Sequence, residues 1–307
     1  VAYSISGIKP NIGQLKLYSK PIVPTWKSHT FDLFPITSIT YNNGLFVAAG
    51  DGLATSTDGM VWTVRTASGV FTNPITHVLY TSTNGYGYTS GNEILVQDSS
   101  IPTKWTSTTS GTLISNMLDV SFNTSNNTFI NVGDGGYYVA TNGTWFTQNS
   151  TFSNQEFTSV SNLGNVSIIS GEIGKIRTAT NITALSNLAS RSLGASDKKI
   201  LSLSSNGTSI VIGATNDTDK KYAKSSSGYT WEWIDGPIIS KKMIYANNTF
   251  FMANDSSQLY ASNDGITWEE HKINTPTIVN SICYGNGMYL ACGIGENKFY
   301  TLTPVST

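Results

Sequence analysis

Seven short apolar segments, each ending in a small residue, recur along the chain. This period constrains the fold more than any other feature of the sequence. The closing residues are Gly50, Gly91, Gly133, Gly171, Gly213, Asn254 and Gly293, at intervals of 41, 42, 38, 42, 41 and 39. Phe46-Val47-Ala48-Ala49-Gly50, Phe129-Ile130-Asn131-Val132-Gly133, Ser209-Ile210-Val211-Ile212-Gly213 and Tyr289-Leu290-Ala291-Cys292-Gly293 read alike. A second marker, a Trp, follows five of the seven. Trp62 lies 12 residues after Gly50, Trp105 14 after Gly91, Trp145 12 after Gly133, Trp231 18 after Gly213 and Trp268 14 after Asn254. After Gly171 the matching place holds Leu185, and after Gly293 the chain reaches Thr307 with no Trp left.

Units of about 40 residues rich in short strands are the size of one four-stranded propeller blade. Seven of them predict an all-β fold, a seven-bladed β-propeller, as one domain over 1–307. Residues 36–303 supply the seven repeats and 1–35 the segment that closes the ring. Closure is required because an open ring leaves strand edges that invite aggregation. Thr25-Trp26-Lys27-Ser28 resembles Val61-Trp62-Thr63-Val64, so Trp26 is expected to be the missing Trp and to complete the seventh blade. Either Leu15-Lys16-Leu17-Tyr18 or Phe299-Tyr300-Thr301-Leu302 can be that blade's third strand. Asn42-Asn43-Gly44, Asn84-Gly85, Asn247-Asn248-Thr249 and Gly285-Asn286-Gly287 read as hairpin turns, since Asn and Gly tolerate positive φ. Asn181 to Ala195 fits one helical turn or a strand and loop.

Between the third and fourth strands sits a Ser-x-Asp-Gly-x-x-Trp turn. It is complete at Ser56, Asp58, Gly59 and Trp62, and again at Ser262, Asp264, Gly265 and Trp268. Ser225-Ser226-Ser227-Gly228-Tyr229-Thr230-Trp231 replaces the Asp by Ser227, and Thr141-Asn142-Gly143-Thr144-Trp145 is more degenerate. Ser and Asp oxygens accept backbone N–H bonds inside such a turn. Gly takes the left-handed position, and the Trp ring fills space between blades. The motif resembles the Asp-box, or bacterial neuraminidase repeat. Tyr41 to Gly52 around it is similar to propellers of the photosystem II assembly-factor type and their relatives in bacterial surface and bacteriophage virion proteins. The resemblance implies a propeller in which this turn is a structural staple.

Charged residues make up 12% of the chain and the net charge is -1, against about 25% charged in typical domains. Ser, Thr, Asn and Gly fill the difference. Such a surface offers no footprint for nucleic acid. Lys198-Lys199, Lys220-Lys221 and Lys241-Lys242 are isolated pairs that read as solvated loops. No apolar run approaches the length of a membrane span, so no membrane insertion is expected. The chain starts at Val1 and shows no cleavable signal, so a removed leader or a trimmed piece is expected. Cys283 and Cys292 are expected to be buried thiols, with Cys283 facing Met288 or Tyr289. About ten Asn-x-Ser/Thr sequons, Asn142, Asn206 and Asn247 among them, are glycosylated only on a secretory route.

No catalytic set is expected. A neuraminidase brings three arginines together, and Arg65, Arg177 and Arg191 are the three present. Arg65 follows Trp62 on an outer strand, far from the axis. Other glycosidases need two carboxylates about 5 to 10 Å apart, and Glu93, Glu156, Glu172, Glu269, Glu270 and Glu296 show no pairing in the sequence. His29, His77 and His271 lack zinc spacing. Asn216-Asp217-Thr218-Asp219 lacks a full calcium ligand run, and Gly133-Asp134-Gly135-Gly136 is no phosphate loop. No cofactor is expected. Binding remains, with Trp233, Tyr86, Tyr88, Tyr137 and Tyr138 as candidate ring anchors. Composition and resemblance together imply a non-enzymatic propeller on an extracellular phage particle, in a tail, baseplate or decoration role. Its partners would be other virion proteins or host-surface glycan. A secreted or cell-surface lectin is the alternative, and a glycosidase ranks below both.

Overall fold

Hairpin chemistry fixes where the strands end. Asn43 and Gly44 (φ 48° and 79°), Asn247 and Asn248 (45° and 59°), and Asn286 and Gly287 (49° and 78°) occupy the left-handed region. Two-residue hairpin loops require that conformation. Pairing closes around them at Asn42↔Leu45, Ala246↔Thr249 and Gly285↔Met288. Asn84-Gly85 departs from the expected turn. Tyr80 pairs with Gly85 across residues 81–84, which places Gly85 inside the strand. A Cβ there would fall 2.9 Å from the Trp105 ring.

The structure, a computed structural model, describes residues 25–304 apart from 66, 69–72, 82–83, 90–92, 110–116, 142, 144–146, 149–154, 181–187, 194–197, 209–210, 216–220 and 255–256. Among the described residues there is no helix, and the strands form seven sheets. Blade I holds Ile36–Asn42, Leu45–Gly50, Leu53–Ser56 and Thr63–Val64. Blade II holds Ile75–Tyr80, Gly85–Thr89, Glu93–Gln97 and Trp105–Thr109, with Ala67–Ser68 added as a parallel edge. Blade III holds Met117–Asn123, Thr128–Gly133, Gly136–Ala140 and Thr147–Gln148. Blade IV holds Ser159–Leu163, Val166–Ser170, Lys175–Ala179 and Ala189–Ser192. Blade V holds Ile200–Ser205, Val211–Thr215, Lys221–Ser225 and Glu232–Asp235. Blade VI holds Lys242–Ala246, Thr249–Ala253, Gln258–Ser262 and Glu269–Lys272. The seventh runs Val279–Gly285, Met288–Gly293, Lys298–Leu302, and then Lys27–Thr30 from the other end of the chain.

That last pairing closes the seven-bladed propeller. Lys27–Thr30 lies antiparallel to Lys298–Leu302, with Lys27 opposite Thr301 and Thr30 opposite Lys298. The third strand is therefore the one containing Phe299 to Leu302, while Leu15 to Tyr18 lie outside the described residues. Within Asn181 to Ala195, Ala189–Ser192 is a strand, and 181–187 and 194–195 lie outside the described residues. Cys283 pairs with Leu290, one residue beyond the expected partner, because the loop is only Asn286 and Gly287. Both thiols are free and buried.

The core is not one mass but seven layers, each between two blades. Trp105 of blade II packs with Leu45, Val47 and Leu53 of blade I. Trp231 of blade V packs against the cluster holding Val166 and Ile168 of blade IV. Trp268 of blade VI meets Tyr222 of blade V edge-on at 5.7 Å. Trp62 of blade I meets Phe299 of blade VII at 5.8 Å. Trp26, 5% exposed, packs with Phe251 of blade VI and Tyr289. In each case the ring at the start of an outer strand fills the gap to the preceding blade, and Trp26 is the seventh blade's copy. Trp145 lies outside the described residues.

Trp26 thus joins both ends of the ring, and its backbone N–H also bonds to Lys272 O at 3.1 Å. Trp26→Ala should cost about 3–5 kcal/mol. Denaturant unfolding of wild type and variant checks this; a loss below about 1 kcal/mol would show that closure does not depend on the ring.

Candidate functional site

The Ser-x-Asp-Gly turns are built as their chemistry demands. Ser56 Oγ donates to Asp58 Oδ1 at 2.8 Å and accepts from Gly59 N at 2.8 Å. Asp58 Oδ1 accepts from Met60 N and Val61 N, both at 2.8 Å. Ser262, Asp264 and Gly265 repeat the arrangement, with Ile266 N and Thr267 N at 2.8 and 2.7 Å from Asp264 Oδ1. These backbone donors hold both carboxyls below their usual range. In blade V, Ser227 Oγ takes the Asp place with longer bonds of 3.2 and 3.4 Å. Gly59 takes the left-handed φ of 74° that the turn needs, and a Cβ there would lie 2.5 Å from Met288 Cε, so that side chain would have to shift. Every one of these oxygens serves its own turn.

The proposed ring anchors lie elsewhere than on the surface. Tyr86, Tyr88, Tyr137 and Tyr138 are between 0% and 7% exposed, inside the layers on either side of blade III. Burial removes them as exposed anchors. Gly85–Thr89 and Gly136–Ala140 are buried on both faces, so alternate side chains have no outward side to point to. Trp233 is half-buried; its Nε1 donates to Leu193 O at 2.8 Å, and Lys198 Nζ sits 5.6 Å from its ring.

The arginines do not converge. Arg65 Nε bonds Thr55 Oγ1 at 2.7 Å on the outer part of blade I. Arg177 makes a two-pronged pair with Glu172 at 2.8 and 3.0 Å, and Arg191 bonds Thr178 at 3.0 Å, both in blade IV. Glu296 is 6% exposed and accepts from Thr275, Thr277 and Tyr300.

What the motif reading misses is at the axis. The innermost strands start alike, at Ile36-Thr37-Ser38-Ile39, Ile75-Thr76-His77-Val78, Met117-Leu118-Asp119-Val120, Phe157-Thr158-Ser159-Val160, Ile200-Leu201-Ser202-Leu203, Ser240-Lys241-Lys242-Met243 and Val279-Asn280-Ser281-Ile282. The register slips just before the third residue in blades I, II, III, V and VII. In those blades the bulge re-aims that side chain. The oxygen of the third residue accepts the N–H of the fourth residue in the next blade, and Ser159 of blade IV does so without a register slip. Val78 N reaches Ser38 at 3.1 Å, Val160 N reaches Asp119 at 3.0 Å, and Leu203 N reaches Ser159 at 2.9 Å. Met243 N reaches Ser202 at 3.3 Å and Ile39 N reaches Ser281 at 3.2 Å. Ser281 Oγ also donates to Ile39 O at 2.8 Å.

Three members of this ring are not serine: His77, Asp119 and Lys242. They line an axial channel of about 240 Å³ together with Ser38, Ser202 and Ser281. Asp119 does the serine's work and more, accepting Val120 N at 2.9 Å and Ser159 Oγ at 2.5 Å. His77 and Lys242 cannot accept the neighbouring N–H in the same way, and the Lys242 ammonium makes no hydrogen bond or ion pair with any described residue.

The imidazole tautomer follows from its neighbours. Thr76 Oγ1 donates its one hydrogen to Tyr88 O at 3.2 Å. Toward His77 Nδ1, 3.0 Å away, it must therefore accept, so Nδ1 carries the proton and Nε2 is a bare acceptor. Nε2 stands 3.8 Å from Asp119 Oδ1, beyond hydrogen-bond range, as two facing acceptors should. Burial pushes the His77 pKa down to about 4, with Asp119 opposing and Lys242 reinforcing the shift.

A larger cleft of about 660 Å³ opens between blades VI and VII, lined by Thr249, Asn263, Asp264, Glu269, His271 and Tyr289 among others. It lies beside Leu302 and Pro304, where the third strand of blade VII ends without a turn into its fourth.

The ring is similar to the structure of the Neurospora crassa Pan2 WD40 domain, with a TM-score of 0.66 over 93% of this chain and 97% of that chain, at 10% sequence identity. In all, 1351 solved chains match, so the likeness identifies a propeller and selects no function. No family model and no curated protein matches the sequence.

Ser281→Ala should cost about 1–3 kcal/mol, since it leaves the Ile39 N–H buried without its partner; urea unfolding measures it. His77 also gives the stability a pH dependence. Its native pKa of about 4 lies below the 6.5 of a free imidazole, so the native state binds fewer protons between those values. Its contribution is complete above pH 6.5 and is lost as pH falls toward 4. His29 and His271 are shifted the same way by burial. Unfolding at pH 7 and pH 4.5 should therefore show a smaller stability difference in His77→Gln than in wild type; equal differences would remove His77 from the slope.

Proposed function

We propose that this chain is a non-enzymatic propeller of a bacteriophage particle, in a tail, baseplate or decoration role, which contacts host-surface glycan or other virion proteins. The observation that carries the non-enzymatic reading is the state of the groups that could do chemistry. Arg65, Arg177 and Arg191 are each bonded within their own blade, Asp58 and Asp264 are consumed by their turns, and Glu296 is enclosed. The virion setting draws on the turns, which we read as Asp-box repeats, and on a chain with only 12% charged residues, which suits a durable extracellular particle with few trypsin sites.

A second reading, a secreted or cell-surface lectin, is favoured by the cleft between blades VI and VII. Its lining sets hydroxyl, amide and carboxylate groups of Thr249, Asn263 and Glu269 together, donors and acceptors of the kind that hold a sugar.

Binding of the fluorescently labelled chain to intact bacterial cells and to purified surface polysaccharides, with heated protein as control, tests both. Saturable binding competed by one polysaccharide is the expected result, and Glu269→Ala should weaken it at least tenfold if the cleft is the site. Absence of binding to every surface would leave only contact with other virion proteins. Release of new reducing ends from a polysaccharide would overturn the non-enzymatic reading.

A further inference from the structure

We infer that the axial channel binds a small zwitterion of the amino-acid class, its ammonium held between His77 Nε2 and Asp119 and its carboxylate by Lys242. The inference starts from the departures in the axial ring. Four of the seven positions are serines whose hydroxyls bridge to the next blade. Lys242 and His77 give up that bond and bring charge or an open lone pair to the axial channel. Places that break a repeat's own rule are where a role beyond folding is to be sought.

Asp119 Oδ1 accepts Val120 N while Oδ2 accepts Ser159 Oγ and Val160 N, so what Asp119 offers an occupant is the remaining lone pair of Oδ1 beside His77 Nε2. His77 Nε2 and Asp119 Oδ1 are two acceptors 3.8 Å apart, a separation that one nitrogen donor bridges with two bonds of about 2.9 Å. Asp119 is anionic, so a cationic donor is preferred over a neutral hydroxyl. Lys242 supplies the opposite demand, an anionic acceptor, and lines the same cavity. A divalent metal is disfavoured because only two ligands face it and the Lys242 charge opposes it. One positive and one negative wall call for a ligand with one of each. The channel volume of about 240 Å³ lies below the range of about 300–1,000 Å³ for drug-sized ligands, which limits the occupant to a molecule of this size. The site is separate from the cleft between blades VI and VII, and the inference does not depend on glycan recognition.

The chain has three histidines, so their ring protons can be followed one by one in the proton spectrum, with His77→Gln identifying the His77 signal. Glycine, β-alanine and γ-aminobutyrate would be titrated into the full chain, with acetate and methylammonium as half-ligands. At least one zwitterion should move the His77 signal saturably, and both half-ligands should bind at least tenfold more weakly. Lys242→Ser restores the residue used at four other blades, so it should keep a wild-type melting temperature while losing at least tenfold in zwitterion affinity. No saturable shift with any of the three zwitterions would overturn the inference. So would acetate binding as well as the best zwitterion, or unchanged affinity in a folded Lys242→Ser.

Discussion

Everything in this molecule depends on blades burying one another. A single four-stranded blade has two apolar faces and no core of its own, so neither face is covered until a neighbour arrives on each side. The seven clusters each span one junction, and the strands in the middle of each blade, Leu45–Gly50 and Thr128–Gly133 for instance, are buried along their whole length. Such an arrangement has no natural end. Only closure satisfies the last face, and here closure draws on both ends of the chain. Lys27–Thr30 completes the ladder, while Trp26 fills the layer between blades VI and VII.

The outer and inner parts of the blades solve different problems. On the outside the fourth strand is short, two residues in blades I and III, and needs help to stay attached. The Ser-x-Asp-Gly turns and the following Trp provide it, tying the strand to its own blade by hydrogen bonds and to the neighbour by a ring. Tyr222 extends the same device across a junction, donating to Gly265 O at 2.8 Å while receiving the Trp268 indole N–H at 3.1 Å. At the axis the seven first strands converge, so space rather than attachment is limiting. A serine is small enough to fit and polar enough to take a backbone N–H that the strand ladder does not use.

The two halves were unequally legible. The blade count, the closure and the role of Trp26 could be read because the strand-ending small residues recur at near-constant intervals and Trp, with only seven copies, marks the outer strands. The aromatic candidates could not be placed. Tyr86, Tyr88, Tyr137 and Tyr138 sit in strands sandwiched between blades, where the usual alternation of inside and outside disappears. The axial ring was hidden for the opposite reason. A serine at four of the seven positions carries no signal in a chain rich in serine, and the register slip beside it is invisible without the pairing. With the strands aligned, the pattern of apolar, any, polar, apolar emerges, and His77, Asp119 and Lys242 stand out against it.

Those three residues also show why likeness of fold and likeness of function separate here. At 10% identity to the Pan2 WD40 domain, the two rings share an architecture that packing alone can specify from many sequences. The serine bridges belong to that level: they serve closure of the inner rim. An imidazole and a lysine take the serine's place at the junctions of blades II with III and VI with VII. Asp119 partly repairs the first junction by bonding its own Val120 N–H, which lets His77 keep Nε2 open toward the channel. The second junction has no such repair at Lys242. A polar channel whose wall gives up structural bonds to keep a cation on one side and two acceptors on the other is better accounted for by what can sit inside it than by the ring around it.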